Sequence, residues 1–135
     1  MKKSRIAVVG GTLATLVLTL APSAYANWSS SMSGVMSGFE SSRWDDEQYS
    51  EIRFTGCDQG YATSVDVNLW EDVSLNYDNY KGDATFTNCF NSSTAVSAGE
   101  WHNLPVNDFY FKLGSIGGSN QMWARNVYID TTAAD

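Results

Sequence analysis

Ala62-Thr63-Ser64-Val65-Asp66-Val67-Asn68-Leu69-Trp70 is the stretch that decides the fold. Val65, Val67 and Leu69 alternate with Ser64, Asp66 and Asn68, the period-two pattern of a strand with one buried and one wet face. The stretch lies between the chain's two cysteines, Cys57 and Cys89. Two cysteines allow one pairing. In an oxidising compartment that bond closes a loop worth about 3–4 kcal/mol by the chain-entropy model.

The compartment is read from the N-terminus. Lys2, Lys3 and Arg5 precede an uncharged apolar run, Ile6–Leu20, and Ala24-Tyr25-Ala26 follows as a small-x-small cleavage site. These are the three parts of a secretory signal. The run is shorter than the roughly 20 residues of a bilayer span, and no later segment is apolar enough to cross. The expected organisation is a signal peptide at 1–26, an extended N-terminal arm at 27–39 and one small domain at 40–135, secreted to the extracellular medium.

Past residue 26 the chain holds five basic and fifteen acidic residues, a net charge of −10. Nucleic-acid binding needs the opposite sign to neutralise phosphates. High aromatic content with a single remaining proline, Pro105, marks a chain that forms a core.

Outward from the central strand, Tyr49–Cys57 places Ile52 and Phe54 on one face and Arg53 and Thr55 on the other, and Asp58-Gln59-Gly60 has turn chemistry. Glu71–Gly82 reads as a polar loop with a short strand at Val73–Leu75, and Asp83–Cys89 as a further strand. Asn91–Gly99 reads as a loop, Trp101 and Leu104 as a lid, and Asn107-Asp108 as a turn into Phe109–Leu113, with Tyr110 a candidate corner tyrosine. Ser115–Asn120 is a hairpin turn. The last strand, Gln121–Thr131, alternates Trp123, Arg125, Val127 and Ile129 against Met122, Ala124, Asn126 and Tyr128. No long window has helical spacing. The expected fold is all-β: a small antiparallel β-sandwich, immunoglobulin-like, of about seven strands with one disulfide.

The arm, NWSSSMSGVMSGF, is uncharged yet carries Trp28, Met32, Val35, Met36 and Phe39. Its Ser and Gly density disfavours an independent element. Three readings stand: a mobile terminus, a segment that enters a partner's groove through these five side chains, and a strand on the domain's own edge.

Chemistry-bearing patterns are sparse. His102 is the only histidine, and no Gly-x-Ser-x-Gly elbow accompanies it. With both cysteines committed, zinc lacks ligands. Asp45-Asp46-Glu47 and Glu71-Asp72 are adjacent carboxylates, which a strand turns to opposite faces, so neither supplies a glycosidase pair and both read as acidic rim. Asp78–Asp83 has calcium-type ligands but not the EF-hand register. The reading is no catalytic residue, no metal and no cofactor. Tyr77 and Tyr80, in the polar loop, are candidates for an exposed aromatic surface.

Phe39-Glu40-Ser41-Ser42-Arg43-Trp44, Gly56-Cys57, Cys89-Phe90-Asn91-Ser92, Trp101–Leu104 and Phe109–Phe111 together form a pattern that resembles small secreted proteins of Streptomyces and relatives. One group of these serves as the adaptor subunit of umbrella toxin particles. The resemblance implies a non-catalytic adaptor that joins a toxin repeat protein to a lectin or protease-like subunit, in antagonism between bacteria. A carbohydrate-binding module and a secreted protease inhibitor are the alternatives.

Overall fold

The computed structural model describes residues 27–132. The expected signal peptide, 1–26, lies outside them. Among the described residues the chain is all-β: β1 (Trp28–Val35), β2 (Trp44–Thr55), β3 (Ser64–Asp72), β4 (Asn79–Phe86), β5 (Val96–Gly117) and β6 (Met122–Asp130), with a single 3-10 turn at Asn88–Phe90. They form one antiparallel sheet in the order β1-β6-β2-β5-β3-β4. No described helix is long and apolar enough to cross a membrane.

β3 behaves as its alternation predicts, with Val65, Val67 and Leu69 fully buried. Its inward phase then continues into Glu71, a buried carboxylate.

β5 corrects the sequence reading most. The expected loop end, lid and turn at Gly99, Trp101–Leu104 and Asn107-Asp108 are all parts of one 22-residue strand. Ser97 and Trp101 are buried in its first half and Phe109, Phe111 and Leu113 in its second. Between them Asn103 takes φ 60° and Leu104 turns inward, so an irregularity absorbs Pro105 without ending the strand. The first half pairs with β2 from Trp44↔Phe109 to Thr55↔Val96, and the second pairs with β3 from Ser64↔Gly117 to Asp72↔Asp108. The strand count is therefore six. Val73–Leu75 is a turn, and the polar loop ends early because Asn79–Gly82 already belongs to β4.

The bent strands fold the sheet over on itself, sandwich-like. Phe54 of β2 meets Phe86 of β4 edge-on at 4.9 Å although two strands separate them in the sheet. Phe54 also packs on Phe111 at 5.4 Å. The Cys57–Cys89 disulfide is formed, Cα to Cα 5.0 Å, and the Cys57 amide donates to the Cys89 carbonyl at 2.7 Å. Gly56 before it has φ 66°, the left-handed region that glycine enters freely.

β6 changes phase midway. Met122 and Ala124 are buried, then Val127 and Ile129, while Arg125 and Asn126 are both exposed. The expected single alternation from Trp123 to Ile129 is broken by this slip, which coincides with a register shift against β1.

Candidate functional site

The arm is a strand of its own domain. β1 pairs with β6 from Trp28↔Ile129 to Val35↔Met122, with shifts on either side of Met32. Asn27 fixes its start: Oδ1 accepts from the Thr131 amide at 2.7 Å and its hydroxyl at 3.1 Å, and Nδ2 donates to the Tyr128 hydroxyl at 2.9 Å. After the turn, the Gly38 amide donates to the Leu113 carbonyl, Leu113 to Phe39 and Ser41 to Phe111, each at 2.8–2.9 Å. Phe39–Ser41 thus continues the line of β2 along the second half of β5.

The five apolar arm side chains divide by burial. Met32 is buried, Trp28, Val35 and Phe39 are half-buried against the core, and Met36 is exposed. Trp28 meets Trp44 edge-on at 6.1 Å, and Phe39 packs on Phe111 at 6.3 Å. Met36 borders a shallow hollow with Ser37, Ser115, Ile116, Ser119 and Asn120.

Between β1 and Phe39–Ser42 a small open cleft of about 80 Å³ remains. Trp28, Met32, Phe39, Phe111 and Val127 supply its apolar lining, and Ser30, Ser31, Ser41 and Ser42 its hydroxyls. No charged side chain lines it. The Nε1 of Trp28 is buried without a hydrogen-bond partner among the described residues. The cleft combines a greasy floor, small polar walls and the outer edge of β1, which ends the sheet.

The opposite edge is different. β4 carries Lys81 and Asp83 and a φ 107° kink at Gly82, devices that discourage edge pairing. Tyr80 lies on this strand, leaning on Trp70 at 5.3 Å and donating to Asp83 at 2.8 Å. Tyr77 stands 91% exposed in the β3–β4 connection, beside a fully exposed Leu75 at φ 59°. The base of that connection is tied: Asp78 accepts from the Val73 amide at 3.0 Å and from Tyr110 Oη at 2.6 Å. Tyr110 is thus a mid-strand anchor, and Arg43 stacks over its ring at 3.7 Å.

Two polar clusters escaped the sequence reading, one assembled by cross-strand register and one by an irregular stretch within β2. Asp72, Asp108 and Asp45 sit opposite one another on β3, β5 and β2, and Arg43 Nε reaches Asp72 at 3.0 Å. Buried Asp46 accepts from Ser50 and from the Glu47 amide, while Trp44 Nε1 donates to Ser50 at 3.0 Å. Burial pushes the Asp46 carboxyl up to about 6 against the opposing effect of these hydrogen bonds. His102 pairs with Glu100 at 3.2 Å and packs on Tyr49. Among the described residues no group of three or more His, Cys, Asp or Glu side chains is placed to hold a metal ion. No family model matches the chain, and no match is found among curated proteins or solved structures.

Proposed function

We propose that the protein is a secreted, non-catalytic protein-binding module whose contact surface is β1 with its turn through Phe39. The observation that carries this reading is the difference in charge between the two sheet edges: both are kinked, β4 at Gly82 and β1 at Gly34 (φ 62°) and its register shifts, but β4 carries Lys81 and Asp83 whereas β1 has eight residues with no charge and no proline. Unguarded edges pair with other chains, and soluble proteins keep them blunted unless pairing is useful. The disulfide suits an oxidising, extracellular setting. The finer reading, an adaptor subunit of a multi-protein toxin particle used between bacteria, rests on the sequence resemblance carried by Phe39–Trp44 and the segments around the two cysteines.

The test is affinity recovery of partners from the producer's culture medium with tagged protein and with Ser31→Lys. Removing the arm is unsuitable because it strips β6 of a partner strand and uncovers the core around Met32. Specific recovery of secreted proteins supports the reading; a protein that emerges alone at native concentration overturns it. The exposed Tyr77 favours one second reading, glycan binding, which predicts that Tyr77→Ala abolishes a glycan-array signal that Ser31→Lys leaves intact.

A further inference from the structure

Three exposed large apolar side chains gather at one end of the sheet. Leu75 and Tyr77 stand almost wholly in solvent on the turn that joins β3 to β4. Val106, 64% exposed, lies on β5 just before Asp108, which pairs with Asp72 at the end of β3. Because β3 and β5 are antiparallel, the β5 positions before Asp108 run beside those that follow Asp72. Single apolar residues on a surface need no explanation, but a group of them marks a contact. The turn is held in place: Asp78 accepts from the Val73 amide and from the Tyr110 hydroxyl, tying both its ends to the sheet. Leu75 keeps a left-handed backbone, φ 59°, with its side chain directed away from the fold. A fixed turn loses little freedom on binding.

Carboxylates crowd the same end. Asp45, Asp108 and Asp72 face one another on β2, β5 and β3, and Asp78 sits on the turn itself. A single guanidinium serves them: Arg43 bonds Asp72 at 3.0 Å and is shared with Glu40 at 3.3 Å. Neither Asp45 nor Asp108 enters an ion pair among the described residues. The donors to Asp78 are neutral, and their hydrogen bonds hold its carboxyl below the ordinary range, so its charge stays. We infer that the Leu75–Tyr77 turn is a second contact, an apolar anchor for a different protein whose receiving pocket is greasy within and rimmed by lysine or arginine. This contact is separate from β1, which ends the sheet at its other edge. Charge selects the occupant, because a second copy of this chain brings the same carboxylates. A sugar ring finds no stacking face on Leu75 or Val106, and the nearby Tyr80 ring already leans on Trp70 and donates to Asp83.

The test places the photo-crosslinking residue p-benzoylphenylalanine at position 77 of the full disulfide-bonded chain, with the same residue at Tyr61, 86% exposed before the other end of β3, as the control. Crosslinking is done in the producer's culture medium, and the protein joined to position 77 is then purified and its binding to the uncrosslinked chain measured by calorimetry and stopped flow. The expected outcome is a crosslink from position 77 and none from 61, onto a peptide in which apolar residues are flanked by lysine or arginine. Leu75→Asn, which suits a left-handed backbone, and Tyr77→Ser should each weaken binding at least about tenfold at unchanged melting temperature. Asp45→Asn combined with Asp108→Asn should slow association at least about threefold, and added salt should slow the parent more than this variant.

No crosslink from position 77, an equal one from 61, affinity untouched by Leu75→Asn and Tyr77→Ser, or association unchanged by loss of the two carboxylates overturns this assignment. A crosslink to polysaccharide overturns it in favour of glycan binding, and one to the same chain in favour of a second copy. Failure here is separable from failure of the β1 reading. If position 77 crosslinks nothing while the parent chain still recovers secreted partners that Ser31→Lys loses, the turn is not a contact and β1 stands; a position-77 crosslink that survives Ser31→Lys supports the turn without β1.

Discussion

Asp108 of β5 stands directly opposite Asp45 of β2, one carboxylate facing another across a paired position. The Asp108 carboxyl is raised above the ordinary range by a hydrogen bond shared with Asp45, then by burial and by the charges of Asp45 and Asp72, with Arg43 acting the other way. Like charges at facing positions oppose sheet formation.

A carboxyl with a raised folded-state pKa stabilises fully below its unfolded value and loses that contribution as pH rises through the folded value. Asp108→Asn is therefore expected to stabilise the protein at pH 7 by on the order of 0.5 kcal/mol and to make little difference at pH 3. Urea denaturation of both proteins at the two pH values checks this. A destabilised variant at pH 7 would show that Arg43 more than offsets the repulsion.

Asp46 has the same sign for a different reason, since burial rather than a facing carboxylate raises it to about 6. Its contribution is present below about pH 4 and lost as pH rises past 6. Asp46→Asn should remove roughly 2 kcal/mol of the pH dependence over that interval. Thermal melts at pH 4, 5.5 and 7.5 measure it as a change in the gap between variant and parent.

Glu71 runs the other way. Burial opposes its ionisation, but hydrogen bonds from Asn107 at 2.8 Å and Asn79 at 3.1 Å, with Lys81 at 3.8 Å, outweigh it and lower the pKa. The resulting stabilisation is present above the ordinary glutamate value and is lost as acid titrates the folded state. Asn107→Ala leaves one oxygen of a buried carboxylate without its donor and should cost about 1–3 kcal/mol at pH 7, less at pH 3.

Gly56 joins β2 to the disulfide at φ 66°, and an added Cβ would lie 2.5 Å from the Ser93 carbonyl oxygen and 2.7 Å from Arg125 Cδ. Gly56→Ala combines a left-handed backbone with a backbone clash. A loss of about 2–4 kcal/mol is expected with the disulfide intact, read by urea midpoint and checked by thiol titration.

The parts of the fold legible in sequence are those where one periodicity holds for a whole element. β3 is the plain case, since Val65, Val67 and Leu69 keep a single phase. β5 hides its continuity because an irregularity at Asn103–Leu104 resets the phase and residues such as Pro105 and Asn107-Asp108 carry the composition of turns, whereas β6 reads as one strand and hides only its change of face at Arg125–Asn126. Local chemistry there yields to the ladder formed with β2 and β3. The Cys57–Cys89 bond was readable by count alone. The cleft between β1 and Phe39–Ser42 was only half visible: Trp28, Met32 and Phe39 stood out as apolar residues in a polar arm, but Phe111, Val127 and Ser42 join them through long-range pairing that no short window contains. Val35 lies outside the cleft lining, and Met36 faces a separate hollow.

The pairing of Trp28 with Ile129 also sets an order of events in folding. β1 docks on β6, so during synthesis it has no native partner until β6 is free, and β2 likewise waits for β5 and β6. Little of the sheet can be laid down progressively as the chain emerges. Such non-local pairing places folding among slow β-topologies, in the millisecond-to-second range. The sheet therefore closes late and as one unit.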